Sequence, residues 1–65
     1  MEITLNGEKA EAPEGELVSA LIQRLKLAGP VAAMVNGEVI HREKLSSTKL
    51  KSGDSVELLR MMGGG

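Results

Sequence analysis

The alternation of apolar and polar positions divides the chain into short segments separated by turn residues. Glu2-Ile3-Thr4-Leu5 alternates with the period of a half-buried strand. Asn6-Gly7 follows at once, and both residues tolerate the positive φ angles of a type I′ turn, which predicts a hairpin. Residues 8–12, Glu-Lys-Ala-Glu-Ala, return as a second strand whose weak β propensity suits an exposed edge. Pro13-Glu14-Gly15 reads as a turn. From Glu16 to Leu27 the period changes. Val18, Leu21, Ile22 and Leu25 recur at helical spacing and share one face, with Leu17 widening the stripe. Glu14 and Glu16 near its start, and Arg24 and Lys26 near its end, suit the dipole of that helix. Gly29-Pro30 predicts the stop, with Gly29 in the left-handed position that ends many helices.

Val31 to Val35 is a compact apolar strand, Asn36-Gly37 a second hairpin turn, and Glu38-Val39-Ile40 the return strand. Residues 41–50 are mixed, with Leu45 and Leu50 expected to anchor a loop or a single helical turn. Ser52-Gly53-Asp54 is a turn, Ser55 to Met61 the last strand, and Gly63-Gly64-Gly65 ends the sequence. This order predicts an α+β fold of the β-grasp type: a mixed sheet of four to five strands packed on one helix. The last strand is rich in β-formers, and a small sheet must bury its central strands. It is therefore expected beside the first strand, parallel to it, under the helix. Its alternation sets Val56, Leu58 and Arg60 on one face and Glu57, Leu59 and Met61 on the other. The expected organisation is one domain over residues 1–62 and a flexible glycine tail over 63–65.

Composition narrows the function classes. A chain of 65 residues buries only about 60% of its unfolded surface and has little room for a deep pocket. Net charge is -1, no aromatic residue is present and Lys and Arg are not clustered, which argues against nucleic-acid binding. No apolar run is long enough to cross a bilayer and the start resembles no signal peptide, so a soluble, cytoplasmic protein is expected. With no cysteine, sulfur cannot ride on a side chain as a persulfide.

Candidate chemistry is sparse until the last residues. The single histidine, His41, stands beside Arg42 and Glu43 with no nucleophile or orienting partner apparent, and reads as a solvated loop residue. One His and scattered carboxylates give no metal-ligand spacing, and no glycine-rich loop is followed by a phosphate-binding lysine. The tail differs. Three glycines without side chains span roughly 10 Å when extended, enough to thread a narrow channel and present a carboxylate to another protein's active site. A carboxylate is a poor electrophile, so joining it to AMP first and displacing AMP by sulfur would give a thiocarboxylate. The alternative is a frayed terminus. Leu59, Met61 and Met62, apolar and outside the expected core, form a candidate docking patch for a partner, unless the 41–50 loop covers them.

Four stretches together resemble the ThiS family of sulfur carriers in thiamine biosynthesis. They are Met1 to Glu8, Val35 to Ile40 followed by Arg42, Lys51 to Leu58, and the closing glycines. The resemblance spans nearly the whole chain, in order. It implies a ubiquitin-like β-grasp carrier that is itself no enzyme and holds no permanent cofactor. By position, Gly64 and Gly65 match the family's diglycine, with Gly65 as the modified residue and Gly63 beside them in the recognised tail. The implied partners are an E1-like, ThiF-like adenylyltransferase that uses ATP, an enzyme that mobilises sulfur from cysteine, and a ThiG-like thiazole synthase. A sulfur carrier for molybdopterin, of the MoaD family, is the nearest alternative. A ubiquitin-like modifier or a plain binding module is the alternative of another class.

Overall fold

The computed structural model describes residues 1–27 and 31–60. Five strands form one mixed sheet: β1 (Glu2–Leu5), β2 (Glu8–Glu11), β3 (Val31–Val35), β4 (Glu38–Ile40) and β5 (Ser55–Arg60). Among the described residues one α-helix, α1 (Val18–Arg24), lies between β2 and β3 in sequence. The spatial order is β2-β1-β5-β3-β4. β5 runs parallel to β1 and antiparallel to β3, so the last strand occupies the centre, as its composition demands.

Both Asn-Gly pairs turn their hairpins with two successive positive φ angles, 50° and 83° at Asn6-Gly7 and 52° and 83° at Asn36-Gly37. That is the type I′ geometry, whose twist matches the flanking strands. Each asparagine also reaches β5. Asn36 N–H donates to the Ser55 carbonyl at 2.7 Å, and Ser55 N–H donates back to Asn36 Oδ1 at 2.9 Å. On the other side, Asn6 N–H donates to the Val56 carbonyl at 2.8 Å, and Leu58 N–H donates to Asn6 Oδ1 at 2.9 Å. The Asn36 turn therefore holds Ser55 at the start of β5, and the Asn6 turn holds Val56 and Leu58. Asp54 completes the entry: it accepts from Asn36 Nδ2 at one carboxylate oxygen and from Lys51 N–H at the other.

The core lies between the inner sheet face and α1. Ile3, Ala33, Val56 and Leu58 line it from the sheet, Val18 and Leu21 from the helix, and Ala12 and Leu50 close it from the loops. Leu45 packs against it, half-buried. Both leucines of the 41–50 segment therefore act as the anchors expected of them, around a single 3₁₀ turn at Arg42–Lys44.

The helix departs from the expectation in three ways. It is shorter, two turns from Val18 to Arg24 rather than Glu16 to Leu27, and Leu25 at its C-terminal cap is 38% exposed instead of facing the core. Its start carries no side-chain cap and no acidic residue. The N–H groups of Val18 and Ser19, which no carbonyl of the helix can reach, are instead taken by the carbonyls of Thr48 and Leu45, each at 3.0 Å. The 45–50 segment is thus the cap, supplied from far along the chain. Glu16 does not serve the dipole. It precedes the helix, nearly buried, and accepts a two-point hydrogen bond from Arg24 Nε and Nη2 at 3.0 and 2.9 Å. These hydrogen bonds raise the Arg24 pKa above its ordinary value. A carboxylate buried at that position is tolerable only because the planar guanidinium pairs with both oxygens.

The helix also ends on a different residue. Lys26 takes the left-handed conformation that closes it, at φ 57°. Its N–H bonds the Gln23 carbonyl and the Leu27 N–H reaches back to the Ile22 carbonyl, the paired bonds of a Schellman ending. Gly29 and Pro30 lie outside the described residues. A left-handed lysine carries a steric cost that glycine lacks. Lys26→Gly is expected to raise stability by about 1 kcal/mol, read as a higher urea midpoint at unchanged slope. Asn6→Gly keeps the turn but removes the acceptor for Leu58 N–H. It is expected to cost about 1–2 kcal/mol and to speed hydrogen exchange at the Leu58 amide.

Candidate functional site

β5 is the last element before the glycine tail in sequence, so its faces are the part of the described chain nearest to Gly65 along the backbone. Val56 is fully buried and Leu58 is 5% exposed, both against the core. Leu59 alternates to the other face and is 59% exposed. Glu57 and Arg60 are exposed. Arg60 belongs by alternation to the inner face, but it pairs with Val31 at the end of the sheet, past the buried core. Of the docking candidates, Leu59 therefore stands in the open. Met61 and Met62 lie outside the described residues, as do Gly63, Gly64 and Gly65.

The 41–50 segment does not cover Leu59. It is committed elsewhere, with Leu50 in the core and the Leu45 and Thr48 carbonyls on the helix N-terminus. What shares the outer face with Leu59 follows from register. Ala32 is paired directly with Leu59, and Met34 is paired with Glu57 on one side and with Val39 on the other. Val39 is 57% exposed. The apolar face therefore continues from β5 across β3 to β4. Sequence reasoning singled out Leu59 but not Val39, Met34 or Ala32. The signal was present: the two-residue turn at Asn36-Gly37 sets Val35 opposite Glu38, and one step further it sets Met34 opposite Val39.

Among the described residues no catalytic set assembles. His41 is exposed at the start of the 3₁₀ turn. Among the described residues no three His, Cys, Asp or Glu side chains converge as metal ligands, and no helix is long and apolar enough to cross a membrane.

The family model of the ThiS family matches residues 1–65. This chain belongs to the ThiS family. The crystal structure of a thiamine biosynthesis protein (ThiS) from Geobacter metallireducens is 40% identical, with the whole of both chains covered and a TM-score of 0.86. The solution structure of a thiamine biosynthesis protein from the same organism is also 40% identical, with all of this chain and 88% of that one covered and a TM-score of 0.80. No curated protein matches the chain. The five-stranded sheet with one helix is the β-grasp fold of these ThiS structures.

The two faces of β5 carry different consequences. Leu58→Ala removes buried side chain from a thin core and is expected to cost 2–5 kcal/mol, by order of magnitude about that of other buried Leu→Ala changes. Leu59→Ser, on the open face, is expected to change stability by no more than about 0.5 kcal/mol. Chemical denaturation of the two variants side by side checks the assignment of faces.

Proposed function

We propose that this protein is the sulfur carrier for the thiazole moiety of thiamine. The match to the ThiS family over residues 1–65, which takes in the closing glycines, carries the reading. In the proposed chemistry the Gly65 carboxylate attacks the α-phosphorus of ATP in the active site of an E1-like, ThiF-like adenylyltransferase, and pyrophosphate leaves. A sulfur nucleophile mobilised from cysteine then attacks the acyl carbon and AMP leaves. Where that nucleophile is a persulfide, a second thiol cleaves the resulting acyl disulfide, and a thiocarboxylate remains on Gly65. A ThiG-like thiazole synthase receives the sulfur.

The protein itself is a carrier and not an enzyme in this reading, with no permanent cofactor, and ATP enters only through the partner. It works in the cytoplasm, where ATP is at hand. The absence of cysteine leaves the terminal carboxylate to hold the sulfur. Gly63 and Gly64 have no side chain to obstruct a narrow channel, and they form the recognised part of the tail. Leu59, with Met61 and Met62, forms the docking surface for the partners, and the exposure of Leu59 beside Ala32 supports this.

Incubation with a ThiF-like enzyme, ATP and a cysteine-derived sulfur donor is expected to replace one oxygen of the chain by sulfur, read by intact mass. Deleting Gly64 and Gly65 is expected to abolish that change. Conjugates on lysines of other proteins with no sulfur uptake would instead make the chain a modifier. Loading by a molybdopterin-pathway enzyme alone would move it to that branch.

A further inference from the structure

β5 outruns β1. Their pairing stops at Leu5 opposite Val56, where the chain leaves β1 for the Asn6-Gly7 turn, while β5 continues to Arg60. Backbone groups along β5 alternate in direction. The carbonyls of Asp54 and Val56 accept from Thr4 and Asn6 on the β1 side, whereas Ser55 exchanges hydrogen bonds with Asn36 on the β3 side. Even-numbered residues therefore turn their N–H and C=O toward β1. Leu58 follows, and its N–H is met by Asn6 Oδ1. Arg60 follows too, but no strand pairs with it on that side, and no hydrogen bond among the described residues reaches its N–H or C=O there.

The sheet's two outer edges are blunted against pairing. β2 carries Glu8, Lys9 and Glu11, and β4 is three residues long. The β1-side edge at Arg60 is also short and charged, and it differs from the other two in where it lies. Its residue is exposed, it stands next to the open Leu59 face, and it is the last described residue before the tail in sequence.

We propose that an extended backbone segment of the enzyme that loads the tail adds to the sheet at this edge, exchanging N–H···O bonds with Arg60. The occupant is a strand because the groups left unclaimed among the described residues are one donor and one acceptor of a single residue on one edge, the pair that a neighbouring strand satisfies. The partner then reads the main chain at the base of the tail and sets the direction in which the glycines leave. This inference rests on the carrier reading above.

The test removes one hydrogen-bond donor. Arg60→Pro deletes the N–H that points away from β3, so no ladder bond to β3 is lost, and proline is tolerated at such edges. Arg60→Ala serves as the side-chain reference. A synthetic chain with an ester in place of the Leu59–Arg60 amide removes the same N–H and leaves every side chain intact. Loading by the ThiF-like enzyme is expected to fall about tenfold in kcat/KM for Arg60→Pro against Arg60→Ala, and by a similar factor for the ester against the native chain, with thermal unfolding little changed. If Arg60→Pro does not fold, the ester decides alone. Loading of the ester chain at the native rate overturns the proposal while the carrier reading stands. Failure of the native chain to load at all overturns the carrier reading itself, and this inference with it.

Discussion

The position of β5 between β1 and β3 is the constraint on which the rest of this small protein depends. A central strand must have its N–H and C=O groups satisfied on both edges, because its inner face is closed to water. Neighbouring strands meet part of that need. The two Asn-Gly turns meet the remainder. Asn36 binds the first residue of β5 with both its main chain and its side chain, and Asn6 binds Val56 and Leu58 from the opposite edge. Two residues whose first task is to turn a hairpin therefore also set where the last strand begins and how far it is held.

The helix depends on the same economy of parts. At two turns it is too short to be stable alone. It is held by Val18 and Leu21 in the core, by carbonyls of the 45–48 segment on its first N–H groups, and by the Glu16–Arg24 pair across its length. Leu50 links these elements. Its side chain is in the core and its N–H bonds the Glu16 carbonyl at 2.8 Å. Capping from the 45–48 segment explains why the chain can do without a Ser, Thr, Asp or Asn before Val18.

For a carrier, this arrangement separates two duties. The core side of β5 fixes the strand, while its outer face and its β1-side edge near the end stay available. Charged residues are exposed around this region but do not gather into a catalytic set. The domain presents its last residues to other proteins and performs no chemistry of its own on this reading. A rigid base suits that role, since it limits the directions in which a glycine tail must be searched for by an active site.

The sequence by itself determined the strands, both hairpins, the central place of the last strand and the inward set Val56 and Leu58. These follow from period-two alternation, the positive φ demanded at Asn-Gly, and the need to bury the strongest β-formers. It also carried the resemblance that placed the chain in its family, and it pointed to Leu59. Tertiary structure decided what depends on residues distant in sequence. Helical periodicity extended the helix to Glu16 and Leu27, but it cannot reveal that carbonyls some thirty residues away take over the cap, or that Glu16 is claimed by Arg24. The stop signal at Gly29-Pro30 was read from propensity, yet Lys26 accepted the left-handed turn because the two closing hydrogen bonds outweigh its steric cost. The pairing of Ala32 with Leu59, which joins the outer apolar face of the β3–β4 hairpin to β5, and the edge at Arg60 left unpaired among the described residues likewise emerged only from the register of distant strands. Register is a relation between strands, and no single segment contains it.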